Sequence, residues 1–264
     1  MKIERIETFL IESPIDEPFG WSMGWTEKRG SLITKITTDD GIAGWGEGGG
    51  SPSQTVIHDC FVSMLIGQDP LNINKLWHQL FQSLHNDNLT GGFGGGALSG
   101  VDIALLDIAG KASGKSISEM LGGSVRDKVA VYATGLYYRD DEFPTKLTEE
   151  ARSYLDAGYG GMKTKVGGLS VADDMKRMKA IRDAIGDDVY LMVDANKAYS
   201  ARTAIDVGKR LADLNIHWFE EPVLANDVDA YLEVKAQQPI PVAGGEVLYN
   251  RFESRDLISR RALD

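Results

Sequence analysis

The sequence predicts two fold classes in series, an α+β half followed by an α/β half. Three observations predict it. Alternating runs joined by a glycine turn come first, helical patterns follow without further strands, and from about residue 128 strands and helices alternate strictly, repeating every 26–30 residues or so.

Residues 3–12 (IERIETFLIE) and 31–38 (SLITKITT) alternate as half-buried strands do. DDG at 39–41 is a hairpin turn in which Gly41 supplies positive φ, and 42–47 (IAGWGE) returns as a third strand. Residues 14–30 between the first two strands show no period and carry Phe19, Trp21 and Trp25, so a long aromatic loop of functional character is expected. Helices are predicted over 53–66, 73–85 and 97–113. The last is apolar on most sides and should be buried, with Asp102 and Asp107 as structural partners and GGFGGG (91–96) as a flexible entry.

In the second half, predicted strands at 129–136, 160–167, 189–196, 216–223 and 241–246 precede helices at 145–157, 171–185, 201–214, 228–237 and 251–260. Ser170, Ser200 and Asp227 stand where helix N-caps belong, and Ser170 with Asp173 fits a capping box. The strands are nearly continuous apolar runs, as parallel strands covered on both faces should be. Five βα units in series suggest a (β/α) barrel or a doubly wound sheet. The absence of Gly-x-Gly-x-x-Gly after the first of these strands weakens a dinucleotide-binding version of the second.

A net charge of −11 argues against a nucleic-acid partner, which needs a basic face. Cys60 is the single cysteine, so no intramolecular disulfide forms, and a buried thiol in a reducing compartment is expected. No run of 18 apolar residues exists, so no membrane partner is expected. MKIERIETFL reads as a strand rather than a signal peptide, which makes the cytoplasm the expected location.

Charged residues recur at the same point of the βα units. The second strand ends in Lys163-Thr164-Lys165, the third in Asp194 with Asn196 beyond, the fourth in Glu220-Glu221 and the fifth in Glu246. The intervals are 29 residues from Lys165 to Asp194, 26 to Glu220 and 26 to Glu246. In a barrel these strand ends meet at one mouth, where active sites are built. Lys163 and Lys165, two apart, point the same way. One charged residue at a strand end is ordinarily a solvated boundary; three acids and a lysine pair in register over four units are not. The acids lack His or Cys neighbours, so an all-oxygen site for Mg²⁺, with Mn²⁺ as the alternative, is predicted. An ordinary lysine titrates near 10.4, and a second ammonium and a divalent cation both disfavour its charged form. Bringing such a lysine to about 7–8 takes roughly 3–5 kcal/mol. The reaction class inferred is abstraction of a proton alpha to a carboxylate, leaving an enediolate. The competing role for the lysines is as salt-bridge partners of the acids.

KTK (163–165), VDAN (193–196), WFEEP (218–222) and GGE (244–246), in this order, resemble the enolase superfamily, in its mandelate racemase and muconate lactonizing subgroup. The resemblance covers the whole chain. It implies an α+β capping domain over residues 1–127, followed from 128 by a modified (β/α)7β barrel, incomplete here at about five βα units. By position it implies Asp194, Glu220 and Glu246 as metal ligands, Lys165 as general base and Lys163 as its partner on the substrate carboxylate; the pairing of such a base with Mg²⁺ is a property of the superfamily. Residues 14–30 and 47–53 would shape the pocket, with Asn196, Trp21, Trp25 and Glu47 as substrate-binding candidates. DDGIAGWGE (39–47), LSGVDIALLDIAGK (98–111), VYATGLYYRDD (131–141) and WFEEPVLANDVDAY (218–231) are similar to acid-sugar enzymes of the subgroup. The implied substrate is a small carboxylate, a sugar acid or its lactone, and the implied assembly a homo-oligomer.

The resemblance also implies further strands and an opposite-face acid/base, usually His paired with Asp. His58, His78 and His85 fall in the first half and His217 at the far end of its strand, so none takes that role. The sequence is therefore read as a partial frame. An isomerase, cycloisomerase or dehydratase is expected. A catalytically impaired metal-binding member and a racemase or epimerase of hydroxy acids are the alternatives; a phosphate-binding barrel has only Gly167-Gly168 in its favour.

Overall fold

β1 (Ile3–Trp21) and β2 (Gly24–Thr38) form one long hairpin, and β3 (Ala43–Glu47) pairs antiparallel with β2, Ile33 opposite Glu47 and Thr37 opposite Ala43. The computed structural model describes residues 1–140 and 143–264; Asp141, last in the VYATGLYYRDD string, lies outside the described residues. The aromatic loop expected over 14–30 is thus the far end of a hairpin. Beyond Ile6, β1 stays exposed or half-exposed until Phe19. With neither face buried there is no alternation to betray a strand.

By its contacts the chain divides into two units. The first is Met1–Pro14, Lys28–Lys128 and Val247–Glu253; the second is Ile15–Glu27, Val129–Glu246 and Ser254–Asp264. Two segments fall across the boundary expected at 127/128. The hairpin's far end groups with the second unit and Val247–Glu253 with the first.

The first unit packs its sheet against helices. α1 (Ser51–Val56) runs through a π-helical turn (Ile57–Phe61) into α2 (Val62–Leu65); α3 (Ile73–Asn86), α4 (Gly92–Ser113) and α5 (Ile117–Met120) follow. Ile3, Leu32 and Ile36 meet Phe61, Leu80, Val101 and Leu105 in the core. Alternate residues Gly44, Gly46 and Gly48 put one face of β3 and its extension against a ridge of α4 spaced by four. A Cβ at Gly46 would lie 2.0 Å from Gly100 O, one at Gly44 2.1 Å from Ala104 O and one at Gly48 2.4 Å from Gly96 O. The GGFGGG stretch is therefore no flexible entry. It is the first turns of α4, glycine-rich because Gly96 meets Gly49 backbone to backbone. Among the described residues α4 alone is long and apolar enough to cross a membrane; its apolar window is 61% buried, as a core helix is. Cys60 is half-buried, packed against the core rather than within it.

The second unit is a parallel sheet of β4 (Ala133–Thr134), β5 (Gly161–Lys165), β6 (Tyr190–Asp194), β7 (Ile216–Glu220) and β8 (Val242–Ala243), in that spatial order. Every neighbour is sequential, so the sheet is singly wound and lacks the reversal of a doubly wound fold. α6 (Thr145–Asp156), α7 (Val171–Ile185), α8 (Ala201–Leu211) and α9 (Val228–Gln237) connect the strands and pack beside one another in sequence; α10 (Arg251–Ser259) follows β8. Ser170, Ser200 and Asp227 cap α7, α8 and α9, each accepting a hydrogen bond from the backbone N–H three residues on. β4 and β8 are shorter than predicted. Each is an outer strand with a ladder partner on one side only.

Candidate active site

The register of the parallel sheet sets the site. Lys165 lies opposite Asp194, Asp194 opposite Glu220, and Glu220 opposite Ala243, one row across four strands at their C-terminal ends. A bulge contributes. Leu191 pairs with Ile216 but Val193 with Phe219, so β7 carries one extra residue there. Without it Asp194 would face Phe219. Glu246 lies three residues beyond Ala243, on a turn after Gly244 and Gly245. One oxygen from each of Asp194, Glu220 and Glu246 can be chosen so that all lie within 4.8 Å of one another.

Each of these carboxylates is held by a lysine. Lys165 Nζ donates to Asp194 Oδ2 at 2.6 Å, and Lys163 Nζ to Glu220 Oε1 at 2.6 Å while lying 3.6 Å from Asp194 Oδ2. Lys197 Nζ donates to Glu246 Oε1 at 3.0 Å and to Glu221 Oε2 at 2.5 Å. The salt-bridge role weighed for the lysine pair is thus present in the structure. Asp194 is 1% exposed, and both lysines of the pair are buried. Burial works against the charge of Lys163, but its hydrogen bond to Glu220 and the charges of Glu220 and Asp194 outweigh it and hold the ammonium above its ordinary range. Lys197 is raised likewise, burial being outweighed by Glu221 and then Glu246. Burial pushes Glu221 up despite Lys197; in Glu246 it is overcome by Lys197, and that carboxyl is held low.

The backbone at the strand ends is unusual. Asn196 (φ +42), Lys197 (φ +70) and Glu221 (φ +42) are left-handed although none is glycine. Such conformations cluster at functional sites. The turn lets Asn196 fold back: its N–H donates to Asp194 Oδ1 at 2.8 Å and its amide nitrogen to Asp194 Oδ2 at 3.2 Å and Glu246 Oε1 at 3.5 Å.

Of the other sequence candidates, Trp21 is half-buried, its indole against Gly24. Trp25 lines a 290 Å³ cavity with Tyr138, Arg139, Leu169 and Arg177, which none of the lysine pair or the three acids lines. Glu47 belongs to the first unit, where it accepts from Ser31 Oγ at 2.5 Å. A larger cavity of 650 Å³ involves Gly161, Tyr190 and His217, at the strands' other ends, and again none of the five. The chemistry, not the cavity size, locates the site.

Four contributors were not singled out from sequence. Ser22 Oγ, in the hairpin's far end, donates to Asp194 O and Asn196 Oδ1, each at 3.3 Å. Trp218 Nε1 donates to Glu220 Oε2 at 3.0 Å. Tyr137 lies under Lys165 Nζ at 5.8 Å and packs, tilted by 37°, against Phe19 at 4.3 Å between ring centroids. Lys197 is the fourth; its one signal was its place directly after VDAN.

The donor set suits a hard divalent cation. It is all carboxylate, and opposite ligands of an ion with 2.1 Å bonds stand about 4.2 Å apart, a small side-chain adjustment from the spacing here.

Residues 5–122 match the mandelate racemase / muconate lactonizing enzyme N-terminal domain, and residues 146–264 the enolase C-terminal domain-like family. The chain is 41% identical to D-galactarolactone cycloisomerase of Agrobacterium fabrum, over all of this chain and 70% of that protein. It is 37% identical to arabinonate dehydratase of Saccharolobus solfataricus, over 88% of this chain and 63% of that one. Among solved structures it is similar to a racemase from Streptomyces coelicolor with bound magnesium, with a TM-score of 0.91 and 30% identity over 99% of this chain and 74% of that one. It is also similar to the 3,6-anhydro-D-galactonate cycloisomerase from Zobellia galactanivorans, with a TM-score of 0.88 and 34% identity over 100% and 70%.

Proposed function

Given that the chain belongs to the mandelate racemase/muconate lactonizing enzyme family of the enolase superfamily, we propose that it removes the proton alpha to the carboxylate of a sugar acid or its lactone, with Lys165 as base. The observation that carries this is the row of Lys165, Asp194 and Glu220 across the ladder, with Lys163 on the same face and Glu246 alongside. We read the five βα units as part of a (β/α)7β barrel whose mouth this row occupies.

Asp194, Glu220 and Glu246 would hold Mg²⁺, or Mn²⁺ in its place. When bound, the cation supplies positive charge beside the substrate carboxylate, where negative charge grows as the proton leaves. The protein's own groups divide the remaining work. Lys163, two residues from Lys165 on the same face of β5, suits the substrate carboxylate. Lys165, with its ring neighbour Tyr137, takes the proton. The electron pair passes into the carboxylate as an enediolate. Its collapse expels the oxygen on the next carbon: a lactone's ring oxygen leaves as a carboxylate, as in a cycloisomerase, or a hydroxyl leaves as water with the proton that Lys165 took, as in a dehydratase. Asn196, already spanning Asp194 and Glu246, is the substrate contact we assign.

The relatives fix the compounds to try: D-galactarolactone, arabinonate, galactonate and galactarate. Incubation of the chain with each, with Mg²⁺ or with a chelator, is followed by proton NMR. Metal-dependent conversion of at least one is expected. No conversion and no exchange of any alpha proton, in protein shown to bind Mg²⁺, would leave only a metal-binding member of the family.

A further inference from the structure

Glu246 differs from the other two candidate ligands in what holds it. Asp194 and Glu220 are the last residues of β6 and β7 and face each other in the ladder. Glu246 follows Gly244 and Gly245 (φ +112) in an irregular turn, and its side chain is 48% exposed. A ligand on such a turn needs a tether from elsewhere.

Lys197 reaches it. Its ammonium bridges Glu246 Oε1 and Glu221 Oε2, and its backbone N–H donates to Glu221 O at 2.8 Å. Glu221 is fully buried. Lys197 and Glu221 both keep left-handed backbones, which side-chain-bearing residues adopt rarely and which persist where the surroundings over-determine them. A lysine tied to a buried glutamate through both backbone and side chain is a strut, not a mobile surface charge.

We propose that Lys197, anchored by Glu221, is a positioning residue that fixes the Glu246 carboxylate as the third arm of the metal site. This rests on the metal-site reading above. The opposing role, a stand-in charge that only competes with the cation for Glu246, has the opposite sign: removing it would tighten metal binding.

The test is calorimetric titration of the full chain with Mg²⁺ and with Mn²⁺, no substrate present. Outer partners of metal ligands are worth about 10–100-fold in affinity, so Lys197→Met should weaken binding by that factor. Lys197→Arg should recover most of it. Glu221→Gln should weaken binding although Lys197 remains, and the double variant should be no worse than Lys197→Met, because both act through one path. Lys197→Met that keeps a wild-type circular dichroism spectrum and binds as tightly as wild type, or more tightly, overturns the proposal. If Lys197→Met does not fold, Lys197→Arg and Glu221→Gln decide: both must fall in the stated order. Wild-type protein that binds neither metal overturns the metal-site reading itself, a result distinct from equal binding by wild type and variant.

Discussion

Lys165 and Asp194 face each other across the β5–β6 ladder and are joined by a 2.6 Å hydrogen bond from Nζ to Oδ2, with Asp194 1% exposed. Lys163 lies 3.6 Å from the same oxygen. The nearer partner of Lys163 is Glu220 Oε1 at 2.6 Å, so two carboxylates compensate the two buried ammonium groups, and Asp194 is the one bonded to Lys165.

Asp194→Ala should then destabilise the protein even in a chelator. It leaves Lys165 buried without its partner, and breaking a buried ion pair from one side costs about 3–5 kcal/mol. Urea unfolding in EDTA checks this. A loss under about 1 kcal/mol, the scale of an exposed pair, would mean that the lysines are solvated rather than held.

The contact of β3 with α4 makes a second prediction. A Cβ on Gly46 would lie 2.0 Å from the backbone oxygen of Gly100, and neither backbone can swing away as a side chain would. Gly46→Ala should cost about 3 kcal/mol or more, at the upper end of overpacking effects. Gly41 has φ +87 and open space around it, so Gly41→Ala should cost only the left-handed backbone penalty of about 1–2 kcal/mol. Denaturation midpoints in the reverse order would contradict the backbone-contact explanation.

Stability should carry a pH signature from Asp174, buried on α7. It accepts from Gly167 N and from Tyr138 Oη, each at 2.7 Å. Burial is the leading influence and raises its carboxyl above the ordinary value of 3.8, despite those bonds and Arg177. A raised folded pKa means the native state holds the proton more tightly than the unfolded chain. The contribution is whole below the ordinary value and is lost as pH rises through the raised one. Wild type should therefore lose stability relative to Asp174→Asn as pH climbs upward from 3.8. Paired urea midpoints across the acid range measure it. A difference that moves in wild type's favour with rising pH contradicts it.

Much of the second unit was legible because its signals are local. Apolar runs mark β6 and β7, Ser170, Ser200 and Asp227 mark helix starts, and the 26-residue interval points to Asp194, Glu220 and Glu246, of which the first two end their strands and Glu246 lies on the turn beyond β8. The β1–β2 hairpin was not legible along its length, since from residue 7 to 18 β1 buries neither face and so has no period. The glycines that open α4 suggested flexibility because their helix propensity is poor; packing of Gly96 against Gly49 overrides it. Glu221 alone looked like an ordinary strand-end residue, and Lys197 carried no signal beyond its place after VDAN. Only the left-handed turns after β6 and β7 bring them together, and no periodicity encodes those. Ser22 is 172 residues from Asp194 in sequence, beyond any local pattern.

The central claim is that Lys165 removes the alpha proton with the aid of a metal held by Asp194, Glu220 and Glu246. Its most direct measurement is deuterium uptake at the alpha carbon of a sugar acid or lactone in D₂O, read by NMR for wild type and Lys165→Ala, with Mg²⁺ and with EDTA. Exchange should occur only with wild type and Mg²⁺, and Lys165→Ala should lower it by about 10²–10⁴-fold while still binding Mg²⁺. Exchange that persists in Lys165→Ala, or in EDTA, would contradict the assignment of base or metal.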